Sequence, residues 1–81
     1  MKTETKTEVE AAVFRKLLNH LDSRKDVQNI DLMNLSGFCR NCLAKWYSSE
    51  AMKRGEEVSV ESAKEIVYRM TYDEWKQNYQ K

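Results

Sequence analysis

Residues 31–54 read DLMNLSGFCRNCLAKWYSSEAMKR, and the fold turns on whether they form one helix or two. At about 100° per residue, a single helix would gather Leu32, Leu35, Cys39, Cys42, Leu43 and Trp46 on one face roughly 100° wide. Both thiols would then lie in an apolar stripe and act as small hydrophobes. Gly37 works against that reading, because glycine inside a helix costs ~1 kcal/mol relative to alanine. In the alternative, Ser36 caps a fresh helix beginning at Gly37, and residues 31–35 form a short turn. Cys39 then sits in a first helical turn, where the helix dipole favours a thiolate.

The flanking segments are read more directly. Downstream, Gly55 follows the basic pair Lys53 and Arg54 and marks a left-handed stop. Ser59 can cap a further helix with Val60, Ala63, Ile66, Val67 and Met70 as its buried stripe. Thr71-Tyr72-Asp73-Glu74 matches a capping box and opens a short last helix carrying Tyr72, Trp75 and Tyr79 along one side, a row suited to a core or a dimer face. Upstream, Val9, Val13, Phe14, Leu17, Leu18 and Leu21 recur at three- and four-residue steps and predict an amphipathic helix over 8–24. The polar stretch 22–29, DSRKDVQN, connects it to the next helix, for which Asp31 is the preferred cap over Asp26. Residues 1–7, MKTETKT, show no periodicity and read as a disordered end, leaving 8–81 as a single helical domain. With no proline and no alternating strand pattern, the fold class is all-α, a compact bundle of four to five helices around a central helix.

Composition narrows the function classes. Only sixteen of the 81 residues are Leu, Ile, Val or Phe, just under the ~20% at which disorder sets in, but the net charge of +1 lacks the charge excess of a disordered chain. The core is therefore thin, and a second copy of the chain is the expected way to complete it, with a dimer favoured; the role expected of such a domain is self-association or the binding of a protein partner. Acids and bases are interleaved, which disfavours a nucleic-acid partner; helix-turn-helix binding would rest on helix count alone. No run approaches a membrane span and no signal-peptide core is present, so the expected location is cytoplasmic, where two cysteines are not expected to form a structural disulfide.

Cys39-Arg40-Asn41-Cys42 is the one motif with chemistry in it. A thioredoxin-type pair follows a strand, and none precedes it. A closed zinc site needs four ligands, whereas this chain offers Cys39, Cys42 and His20, enough for an open three-ligand site for zinc or another divalent metal. Core packing is the first reading of the pair; metal binding and thiol redox use are the alternatives. His20, at the edge of the first apolar stripe, is first a boundary residue. Arg40, Asn41 and Lys45 read as a solvated face, and the acidic pairs Glu56-Glu57 and Asp73-Glu74 carry only a weak acid–base reading. No cofactor is predicted and no residue is assigned as catalytic, so a non-enzymatic role is favoured.

The run Val27-Gln28-Asn29-Ile30-Asp31-Leu32-Met33-Asn34-Leu35, the block Gly37-Phe38-Cys39-Arg40-Asn41-Cys42-Leu43, the triplet Lys45-Trp46-Tyr47, and later Tyr68-Arg69-Met70 with Tyr72-Asp73-Glu74-Trp75-Lys76 together resemble the small bacterial family called domain of unknown function 1244. The likeness runs from Phe14 to about Gln80. It implies a compact, self-associating helical fold from proteobacteria and brings no activity and no catalytic residues.

Overall fold

Gly37 breaks residues 31–54 into two helices. In the computed structural model, which describes all 81 residues, α1 (Thr3–Ser23), α2 (Asn29–Ser36), α3 (Arg40–Lys53), α4 (Val60–Tyr68) and α5 (Tyr72–Asn78) follow one another with no strand. Gly37 takes a left-handed φ of +79°, and its amide donates to the Met33 carbonyl at 2.9 Å, closing α2. The cap of α3 is Cys39, in extended backbone. Ser36 does not cap it; its hydroxyl turns back to the Leu32 carbonyl at 2.8 Å.

The restart gives α3 a new rotational phase, so the single stripe drawn through the stretch does not exist. Leu43 is buried, whereas Leu35 is 86% exposed and Trp46 55% exposed. The residues read as a solvated face move inward: Arg40 is 2% exposed and Asn41 is half-buried. Lys45 is exposed as expected.

The other boundaries follow their local chemistry. Gln28 precedes α2, and the Asp31 carboxylate accepts from the Gln28 amide at 3.1 Å, so Asp31 caps from inside the first turn. Gly55 adopts φ +79° just beyond α3. The Ser59 hydroxyl accepts from the Ser62 amide at 3.1 Å. The Thr71–Glu74 capping box opens α5, the Thr71 hydroxyl accepting from the Glu74 amide at 3.1 Å. Helix α1 starts at Thr3, ahead of the apolar periodicity that begins near Glu8. Its first eight residues are all exposed, and the Thr7 hydroxyl bonds back to the Thr3 carbonyl.

One small core results, made of Leu18 and Leu21 from α1, Leu43 and Ala44 from α3, Ala63, Val67 and Tyr68 from α4, and Trp75 from α5. Helix α3 packs chiefly on α4, which also meets α5 and α1. The end of the chain is tied to the start of α2, because the Gln28 amide group donates to the Tyr79 carbonyl at 2.9 Å and accepts from the Lys81 amide at 3.0 Å.

Candidate functional site

Three assemblies hold the unusual residues: a buried polar network, a sulfur cluster and an open apolar groove. The network is centred on Arg40. Its guanidinium donates to the carbonyls of Val27 (2.7 Å), Arg24 (3.0 Å) and Leu21 (3.4 Å) and to Asn29 Oδ1 (3.1 Å), and it lies 5.3 Å from the Trp75 ring centroid. No carboxylate pairs with it. Its charge is met by carbonyl dipoles at the C-terminal end of α1, where a cation is favoured, although burial still pulls the guanidinium below its ordinary pKa. From Asn29 the network continues, with Asn29 Nδ2 donating to the Tyr68 hydroxyl at 2.9 Å and that hydroxyl donating to Asn41 Oδ1 at 2.6 Å. Burial pushes the Tyr68 phenol well above its ordinary value, with the Asn29 bond opposing more weakly. Every buried side-chain polar atom has a partner.

The sulfur cluster lies where α2 hands over to α3. Cys39 is buried, whereas Cys42, three positions on, is half-buried; both are free thiols. Cys42 Sγ stands 4.0 Å from Met33 Sδ. His20 is exposed in the last turn of α1, and no group of three or more His, Cys, Asp or Glu side chains is brought together as a metal cage. The structure therefore does not join His20 to the two cysteines. Of the acidic pairs, Glu56 and Glu57 lie exposed on the loop after α3, Asp73 pairs with Lys76 at 3.5 Å, and Glu74 is used in its capping box.

The aromatic residues divide. Trp75 is 2% exposed and packs against Tyr68, ring centroids 5.2 Å apart, so it belongs to the protein's own core and offers no dimer face. Tyr72 packs against Tyr68 with its ring tilted by 46°, centroids 5.4 Å apart. Trp46, by contrast, faces outward beside Phe38 (6.0 Å), and Tyr47 stacks on Phe14 of α1 at 6.4 Å. Phe14, Leu43, Trp46, Tyr47, Ala51 and Val58 line an open groove of about 590 Å³ between α1, α3 and the loop before α4. Its rim carries Glu50, Arg54 and Glu56. Lys53 and Arg54 hydrogen-bond the Glu50 carboxylate and hold it below the usual range. On α1, Val9 and Val13 are 44% and 60% exposed.

Sequence reasoning missed the groove, the Arg40 network and Met33. The groove joins residues more than thirty positions apart, and Arg40 and Met33 change meaning only once the helix is broken at Gly37. No helix is long and apolar enough to cross a membrane.

A family model described as "Protein of unknown function (DUF1244)" matches residues 27–81. The match begins after α1, thirteen positions beyond the Phe14 at which the sequence likeness starts. No curated protein matches the chain.

Proposed function

We propose that this chain, which belongs to the family of proteins of unknown function DUF1244, is a non-enzymatic helical domain that works by self-association, with α1 of one copy seated on the Phe14–Trp46 groove of a second. The observation that carries this reading is the apolar face left without a partner: Val9, Val13, Trp46 and the groove floor.

Magnitudes support a second copy as the occupant. An average folded monomer of 9.6 kDa exposes about 5,100 Å², whereas this chain exposes 5989 Å². The excess, about 900 Å², is close to the ~800 Å² that each partner contributes to a standard interface. The radius of gyration, 13.7 Å, exceeds the ~11.7 Å expected for this length, as the projecting first half of α1 requires. Charge is complementary as well. Lys6 and Lys16 lie on the flank of α1 that carries Val9 and Val13, and the groove rim offers the Glu56 carboxylate, while Glu50 and Arg54 on the same rim neutralise each other. A two-fold pairing would satisfy both copies at once. The non-enzymatic reading is supported by the network around Arg40 and Tyr68, whose buried polar atoms are all satisfied within the fold.

Sedimentation equilibrium tests this directly. The expected mass is twice 9.6 kDa at micromolar concentration, reverting to that of one chain in Val13→Asp and in Trp46→Ala while the helical circular dichroism is kept. A single-chain mass for the wild type at ~0.5 mM, or dimers unaffected by both substitutions, overturns the proposal.

A further inference from the structure

Cys39 is buried with the core at 7% exposure, whereas the Cys42–Met33 sulfur pair beside it in the chain is used by neither the core nor the groove. We propose that Cys39, Cys42 and Met33 form a three-sulfur site for Cu(I). The spacing of the one sulfur pair in contact fits a shared ion: two sulfur ligands each about 2.3 Å from a metal at a trigonal angle stand about 4.0 Å apart, the separation found between Cys42 Sγ and Met33 Sδ. Cys39 and Cys42 occupy the N-cap and third positions of α3, the two positions from which, in a capping box, each side chain turns toward the other residue's backbone amide at the same helix end. Their thiols are free, and Cys39 makes no side-chain cap hydrogen bond that a metal would have to replace.

The donor set selects the ion. Two thiolates and a thioether are soft ligands that suit Cu(I); thiolates alone would serve Zn(II) equally, but the uncharged thioether is outside the Cys, His and carboxylate donors that Zn(II) takes, and it tips the set toward Cu(I). Arg40, between the two cysteines in sequence, is turned inward onto the α1 carbonyls, so its guanidinium is committed elsewhere. Met33 is 41% exposed and Cys42 half-buried, which gives the ion a way in. Binding forms two Cu–thiolate bonds and one Cu–thioether bond, and the two thiol protons pass to the buffer.

The test uses the full, reduced chain under anaerobic conditions, with Cu(I) delivered as its bicinchoninate complex. One equivalent should transfer to the protein with release of two protons, measured from the heat in buffers of different ionisation enthalpy. Cys42→Ser should weaken retention at least a hundredfold and Met33→Leu about tenfold. Both positions are partly exposed, and circular dichroism should show both variants folded. A tenfold excess of Zn(II) should not displace the copper. No transfer, equal retention in Cys42→Ser and Met33→Leu, release of one proton instead of two, or displacement by Zn(II) overturns the assignment. None of these readouts depends on whether the chain dimerises.

Discussion

Removing the Arg40 guanidinium should bring this domain to the edge of unfolding. Arg40→Ala deprives four acceptors of a charge-assisted donor. The carbonyls of Leu21 and Arg24 keep one backbone donor each, from Arg24 and Val27, but the Val27 carbonyl loses the 2.7 Å bond that satisfies it. Stranding this part-buried carbonyl costs about 1–3 kcal/mol, and because the Leu21 and Arg24 carbonyls keep backbone donors the other lost bonds together add about as much as one charge-assisted bond, about 1.5–3 kcal/mol. Loss of the stacking on Trp75 adds ~1 kcal/mol, for a total of about 3.5–7 kcal/mol. A chain of this length is stable by only about 4–12 kcal/mol. Urea denaturation followed by circular dichroism should therefore show Arg40→Ala largely unfolded without denaturant or with a midpoint near zero. Arg40→Lys, which keeps the charge but not the fork, should retain a transition weakened by about 2–3 kcal/mol. Arg54→Ala, at an exposed arginine, should shift stability by no more than ~0.5 kcal/mol. If Arg40→Ala loses less than ~1 kcal/mol, the guanidinium is not what holds α1 to the start of α2.

Two further predictions concern the same region. Tyr68 keeps its proton in the folded state to higher pH than in the unfolded chain, so its contribution is fully present below about pH 10 and is lost as pH rises beyond it. Unfolding free energy should fall above pH 10 and do so less steeply in Tyr68→Phe; an identical alkaline decline in that variant would remove Tyr68 as the cause. Gly37→Ala meets no atom within 4 Å, so only the left-handed backbone opposes it, at about 1–2 kcal/mol. A loss above ~3 kcal/mol would show that packing, not backbone strain, is at stake there.

Much of the fold was legible because it is written in local chemistry. The Ser59 cap, the Thr71–Glu74 box, the Gly55 stop and the α1 stripe through Leu18 and Leu21 each depend on residues within one or two turns. Residues 37–39 were not legible in the same way. Helical periodicity takes phase as continuous, and a left-handed glycine followed by an extended cysteine resets it, so the faces assigned to Leu35, Arg40 and Trp46 were all displaced. Arginine compounded the difficulty: alone and without an acid at helical spacing it reads as solvent-facing. The acceptors that draw Arg40 inward are backbone carbonyls, which carry no sequence signature. The candidate site was half legible. Its cysteines stood out by type, whereas Met33 reads as ordinary apolar filler until its sulfur is seen against that of Cys42.

The break at Gly37 links these features. An unbroken helix would have kept the side chains between Asp31 and Arg54 in one phase, with Arg40 and Asn41 pointing away from the stripe. With the break, Arg40 reaches the C-terminal carbonyls of α1, and Asn41 reaches Tyr68. Trp46 and Tyr47 are left facing out beside Phe14. The guanidinium thus joins the family-matched segment, which begins at Val27, to a helix that precedes it. Since Phe14 is supplied by that helix, the groove exists only while α1 is held in place, and Arg40 is the buried polar contact that holds it, alongside the exposed bonds of Arg69 to Asn19 and Asp22. A buried charge with no acid partner is a costly way to secure a helix that Leu18 and Leu21 already anchor by burial. What hydrophobic contact lacks is direction, and a planar fork that must meet the Leu21, Arg24 and Val27 carbonyls together fixes the angle at which α1 leaves the bundle and therefore the shape of the groove.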